Sequence, residues 1–245
     1  MMMTMKRWAM PLLVLVLCGL QGCATVQNAD ARDPWESMNR SVYKFNDVVD
    51  NVAIKPVAQA YVTVIPSIVR TGVRNVLGNL SDVWSMANSA MQLKAQATAE
   101  TFMRINVNTF FGLAGLLDVA SEMGLEKRKE DFGQTLGYWG VKPGPYLMLP
   151  LLGPSTLRDA LATPLDMQGS PTQAFTDEAT RNALTVVRIL DVSSGLLQTV
   201  DVIKAASLDP YNFVRDAYLQ KRNNDIHDGN PPSGFDYGES DSPNQ

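Results

Sequence analysis

Histidine occurs once in this chain, at His227, and cysteine twice, at Cys18 and Cys23. That scarcity excludes most nucleophilic and metal chemistry. A Ser-His-Asp or Cys-His site needs an imidazole held by its surroundings, and His227 falls in a Pro/Gly/Ser/Asp-rich stretch that offers nothing to orient it. No Cys/His cluster has the spacing of zinc ligands, so no metal site is expected. A G-x-S-x-G elbow is missing, as is a G-x-x-x-x-G-K-S/T phosphate loop. Asp159 and Asp166 make a weak acid–base pair, because Asp166 follows Pro164 and leaves the helical register that begins before it. The chain reads as a protein that is not an enzyme.

Positive charge is also short. Lys and Arg number 21 against 25 Asp and Glu, a formal net charge of −4. No basic run is present, which argues against nucleic acid as a partner. Strand signals are nearly absent, and no uncharged stretch in the body reaches the roughly 20 residues of a spanning helix.

What is there begins with MMMTMKRWAMPLLVLVLCGLQGC, in which basic Lys6 and Arg7 precede an apolar run and small residues lead to a cysteine. Residues 1–22 read as a signal peptide, and Leu20-Gln21-Gly22-Cys23 is similar to a bacterial lipobox. Cys23 would then carry diacylglyceryl and acyl groups, the only covalent additions expected, and no other cofactor is foreseen. Two or three chains on one cysteine anchor firmly, at about 0.8 kcal/mol per buried CH₂. Ala24 follows the cysteine, which favours sorting to the outer membrane of a Gram-negative cell. Residues 23–32 read as an acylated tether, 33–222 as one helical domain, and 223–245 as a disordered acidic tail.

The body reads as all-α. Asp33-Pro34-Trp35-Glu36 has the form of a helix start, with Asp33 as N-cap and Glu36 reaching back. Met38, Val42, Phe45, Val49 and Val52 then make one apolar stripe. Pro56 and Pro66 suit helix starts, Gly78 ends a stripe, and Ser81 reads as the cap of a new helix to about Leu93. Further helices are expected over about Ala95–Phe111, up to Gly124, from Ser155, and over Thr176–Leu190, Val192–Ser207 and Pro210–Arg222. Three uncharged apolar segments stand out: Pro56–Val69, Ile105–Leu117 and the window Phe132–Leu157, whose only charge is Lys142. They read either as buried core or as helices lying in one leaflet of a membrane. Inside the third window, GPYLMLPLLGPS (Gly144–Ser155) has too many breakers for a helix and no period-two alternation of polar and apolar residues.

Six stretches together resemble the MlaA/VacJ lipoproteins: DPWESMNRSVYKFNDVVD from Asp33, KPVAQAY from Lys55, VRTGVRNVLGNLSD from Val69, EDFGQTLGYWGV from Glu130, GPYLMLPLLGPSTLRD from Gly144 and LDPYNFVRDAY from Leu208. The resemblance implies a single ring-shaped helical domain whose amphipathic helices lie in the periplasmic leaflet of the outer membrane. It implies a central amphipathic pore through which phospholipids astray in the outer leaflet are removed, with a trimeric porin and a periplasmic phospholipid carrier as partners. It also implies that Gly140–Ser155 forms a loop beside that pore, carrying Gly140, Lys142, Gly144, Pro145, Tyr146, Leu147, Met148, Leu149, Pro150, Leu151 and Leu152. Its prolines would remove N–H donors that are costly at membrane depth, and Gly140 and Gly144 would allow the bends of a hairpin.

Several residues keep two readings. Lys142 is a phosphate contact or a solvated loop lysine. Arg158 and Asp159 line a polar pore or pair within a short helix. Asn39, Phe45 and Asn46, on a family-matching helix, are gates or packing ties. Trp35, Trp84, Trp139 and Tyr138 sit at headgroup level or in the core. Two rival functions are carried beside lipid passage: an acylated scaffold holding a porin or envelope complex, and a phospholipase, which the lone histidine opposes.

Overall fold

A computed structural model describes residues 30–231. The expected signal peptide, Cys23, the tether up to residue 29 and the tail from residue 232 lie outside the described residues. Helix α1 (Glu36–Val49) passes through a π turn (Asp50–Ile54) into α2 (Lys55–Val64). Ile65 is extended, as a residue before proline prefers, and Pro66 turns the chain by 115° into α3 (Ser67–Met91). There follow α4 (Ala95–Phe110), α5 (Val119–Glu122), α6 (Phe132–Tyr138), strands β1 (Tyr146–Leu149) and β2 (Gly153–Thr156), and α7 (Leu157–Gln168). A 3₁₀ turn (Pro171–Ala174), α8 (Glu178–Ala206) and α9 (Pro210–Ile226) complete the chain. No single helix among the described residues is long and apolar enough to cross a membrane.

Four expectations need correcting. Asp33 is not an N-cap; α1 starts at Glu36, and the Asp33 carboxylate instead accepts from Asn39 and from the Tyr211 hydroxyl. Gly78 and Ser81 are not a boundary, since α3 runs through both. The two helices expected on either side of Asp191 are one, α8, and Asp191 accepts two hydrogen bonds from Arg74 at 2.7 and 2.8 Å. Lastly, α9 continues four residues past Arg222, into the segment expected to be disordered. His227 caps that helix with Nδ1 2.8 Å from the Asn223 carbonyl, and Asp228 accepts from Lys94 at 2.8 Å.

Polarity is distributed the wrong way round for a water-soluble domain. Among the described residues, 21 polar or charged side chains are buried against 10 apolar ones, four of which are alanines. Outside, 35 large apolar side chains are exposed. Scattered exposed leucines mean little, but at about 1.5–3 kcal/mol for each fully buried side chain, water contact at all these positions forfeits tens of kcal/mol. The long helices explain the inversion. Against α4, α3 buries Asn79, Asp82, Ser85, Asn88 and Ser89, one polar stripe at three- and four-residue steps. In return α4 buries Thr101, Arg104 and Asn108. The buried apolar cluster among the described residues is small: Tyr146, Met148, Tyr211 and Leu219, flanked by Val42, Tyr43, Val214 and Tyr218.

Candidate functional site

The Gly144–Ser155 segment folds as a two-stranded antiparallel hairpin, with Tyr146 opposite Thr156, Leu147 opposite Ser155, Met148 opposite Pro154 and Leu149 opposite Gly153. This corrects the reading that it has no strand character. Tyr146 and Met148 point into the apolar cluster, whereas Leu147 and Leu149 are half-buried on the other face. Tyr146 packs edge-on against Tyr211 and Tyr218, both at 6.3 Å between ring centres. The turn is Pro150-Leu151-Leu152; Leu151 takes a left-handed φ of 63° and Gly153 one of 84°. Leu151 is 64% exposed and Leu152 59%. A loop of greasy, uncapped residues is thus held out from a strand pair that is itself firmly seated.

What seats it is α1. The outer edge of β1 has no third strand, and unpaired backbone there would cost about 1–3 kcal/mol per buried group. Asn39 supplies the missing partner. Its amide donates to the Tyr146 carbonyl at 3.0 Å and to Asp33 at 2.7 Å, and its oxygen accepts from the Met148 N–H at 2.8 Å. Two helical turns on, Asn46 repeats the pattern at the tip, donating to the Leu149 carbonyl at 2.9 Å and accepting from the Leu151 N–H at 2.8 Å. Below them the Tyr146 N–H donates to the Arg32 carbonyl at 2.8 Å. Of the two readings of these asparagines, the tie is the one the geometry gives. Phe45, between them in sequence, is exposed.

Behind β2 lies a buried charge cluster. Arg222 on α9 donates to both oxygens of Asp131 at 2.6 Å and to both oxygens of Asp159 at 3.0 Å. Asp159 also accepts from Arg158, Thr156 and the Tyr218 hydroxyl. Burial works against the charge on Asp159, but Arg222 and then Arg158 outweigh it and hold the carboxyl at about 2. The same contest leaves Asp131 below the usual range. Arg158 and Asp159 are both buried and paired with each other, which is the second of their two readings. They tie the hairpin and α7 to α6 and α9.

The model of the MlaA lipoprotein family matches residues 31–225. The chain belongs to that family. It is 33% identical to the intermembrane phospholipid transport system lipoproteins MlaA of Escherichia coli and of Shigella flexneri, with 82% of this chain and 82% of each relative covered. An uncharacterized protein of Rickettsia bellii is 31% identical over 83% of this chain and 78% of its own length. A solved structure, described as the structural basis for maintenance of bacterial outer membrane lipid asymmetry, superposes with a TM-score of 0.70 at 33% identity, covering 79% of this chain and 98% of that one. The matched family is one of lipoproteins, and its E. coli and S. flexneri members are named as parts of a transport system.

Within this MlaA-family fold the other expected residues scatter. Gly140 (φ 87°) and Gly144 (φ 68°) take the left-handed backbone that glycine permits. Lys142 is exposed in the loop between them, and Pro145 leads into β1. Trp35, Trp139 and Tyr138 are exposed, whereas Trp84 is half-buried and donates its indole N–H to Asp166 at 2.9 Å. Sequence reasoning missed the two polar clusters of the α3–α4 layer. Arg104, fully buried, donates to Asp118 at 2.9 Å and to the Leu125 carbonyl, and lies 3.6 Å from Asp82. Gln92 donates to Glu130 at 2.9 Å and to Thr135 at 3.1 Å. Burial pushes the carboxyls of Asp82 and Glu130 up, in spite of the nearby lysines and of Arg104 beside Asp82. The signal that would have found them is the polar stripe itself, helical in spacing yet flanked by apolar residues.

Proposed function

We propose that this protein removes misplaced phospholipids from the outer leaflet of a Gram-negative outer membrane and passes them to a soluble periplasmic carrier. Its acylated Cys23 and its apolar perimeter hold it in the periplasmic leaflet, beside a trimeric porin, as a ring around an amphipathic pore. The carrying observation is the inverted distribution of polarity among the described residues, with ion pairs inside and 35 large apolar side chains outside. A lipid slab on the perimeter supplies the contact that water cannot. The names of the E. coli and S. flexneri relatives support phospholipid as the cargo. The hairpin supports a route for it, because Leu151 and Leu152 offer acyl chains an apolar edge on a rigid mount.

The test is the amount of phospholipid reachable from outside by a membrane-impermeant amine reagent in living cells. Deleting the gene is expected to raise it several-fold. The double substitution Leu151→Asp, Leu152→Asp puts two carboxylates where apolar contact is needed, each costing about 2.5–3.5 kcal/mol at the bilayer centre and less near its edge. It is expected to reproduce most of the deletion effect at normal protein level. Unchanged labelling in the deletion strain would instead favour a scaffold, and lysolipid made by the purified protein would favour a phospholipase.

A further inference from the structure

A second apolar feature lies away from the hairpin. The first half of α3, the loop after α4, and α8 enclose a groove of about 390 Å³, within the roughly 300–1,000 Å³ typical of small-molecule sites. Val69, Val73, Val76, Leu116, Phe175 and Leu184 line it. Val69 and Leu116 of its lining are themselves exposed, as part of the apolar perimeter.

One helical turn beyond the groove's lining stands a cation that pairs with no carboxylate among the described residues. Arg188 follows Leu184 by four residues on α8 and so shares its face. Elsewhere in the fold Arg74, Arg104, Arg158, Arg215 and Arg222 each hold a carboxylate. Arg188 is exposed, and the one hydrogen bond it makes among the described residues is to the Ser170 hydroxyl at 3.1 Å. That hydroxyl is 3.1 Å from the Thr172 hydroxyl, at the start of the 3₁₀ turn that leads to Phe175 in the groove wall. Partial loss of water around Arg188 lowers its proton affinity, and no carboxylate offsets this. An apolar slot beside a guanidinium without a carboxylate partner and two hydroxyls suits an amphiphile with a phosphate head.

We propose that this groove binds one phospholipid, an acyl chain lying along Val73, Val76 and Leu184 and the phosphate held by Arg188 with Ser170. This deepens the lipid-handling reading and rests on it. The site is a lateral berth at the perimeter, separate from the hairpin, where a lipid can be held before or after passage.

The test uses the full acylated protein in vesicles of phosphatidylethanolamine and phosphatidylglycerol. A trace of phosphatidylglycerol carries a photoactivatable diazirine in one acyl chain, and cross-linked peptides are identified by mass spectrometry. Labelling is expected to concentrate on residues 69–76, 116 and 184, which needs no variant. Diacylglycerol with the same label lacks the phosphate and should label these positions about tenfold less, the loss of one charge-assisted contact. Arg188→Glu should cut phosphatidylglycerol labelling by a similar factor, whereas Arg188→Lys, which keeps the charge, should stay within about threefold of the parent. Labelling spread evenly around the perimeter, or equal for phosphatidylglycerol and diacylglycerol, overturns the proposal. So does labelling that is unchanged in Arg188→Glu. If these fail while the Leu151, Leu152 variant still exposes phospholipid in cells, only the berth falls. A deletion strain with normal surface phospholipid removes the transport reading whatever the groove does.

Discussion

Replacing Asn39 by leucine is expected to cost about 3–5 kcal/mol of folding free energy, close to the most a single substitution takes. The side chains are alike in size, so no cavity arises. What changes is that the Met148 N–H, the Tyr146 carbonyl and Asp33 all lose a partner at a fully buried position. Each orphaned group costs about 1–3 kcal/mol. Asn46→Leu removes the analogous pair of bonds at the half-buried tip, where water or headgroups can substitute, and should cost about 1 kcal/mol. Urea unfolding of the two purified variants in the same detergent measures both. Equal losses would mean that burial does not set the strength of the clamp. Hydrogen exchange at the Met148 amide should rise in Asn39→Leu and stay low in Asn46→Leu.

Arg222→Met should cost a similar amount, about 3–5 kcal/mol, for an electrostatic reason. Removing one member of a buried ion cluster leaves the others charged and uncompensated, here Asp131 and Asp159. In the parent, the Asp159 carboxyl sits at about 2 when folded against about 3.9 unfolded. Its contribution of about 2 kcal/mol is therefore complete above about pH 4 and is lost as the pH falls through 2. Without Arg222, burial is opposed only by the Gln134 donors, so the Asp131 carboxyl rises relative to the parent. Protonating the cluster then costs the folded variant less than the parent, so the deficit of Arg222→Met should shrink as the pH is lowered from about 7 to 3. A deficit in Arg222→Met that is flat across that range would rule out the carboxylate account.

The family, the all-α class and several elements are legible in the sequence. Helix α4 begins at the expected Ala95 and α9 at the expected Pro210. The failures share one cause. Reading a sequence by polarity assumes that apolar side chains face inward, and here the contrast is reversed or erased. Tyr146, Leu147, Met148 and Leu149 are all apolar although they alternate between protein and surroundings, so β1 shows no period of two. Ser81 reads as a cap because serine favours helix ends. It sits mid-helix because polar neighbours such as Asn79, Asp82 and Ser85 pack on α4, and that packing outweighs a propensity loss of under about 1 kcal/mol. Asp191 looks like a break between two helices until Arg74 is seen to hold it from α3. Asp33 and Arg158 beside Asp159 carry no mark of burial in the sequence, because their partners Tyr211 and Arg222 are remote along the chain.

The polar interior has a calorimetric consequence. Opening a typical domain wets mainly hydrocarbon, which raises the heat capacity, whereas wetting amides, hydroxyls and carboxylates lowers it. In this molecule the surface released from the α3–α4 layer is largely of the second kind. Its unfolding enthalpy in detergent should therefore change little with temperature, and its stability curve should be shallow, without the pronounced loss on cooling that a greasy core imposes.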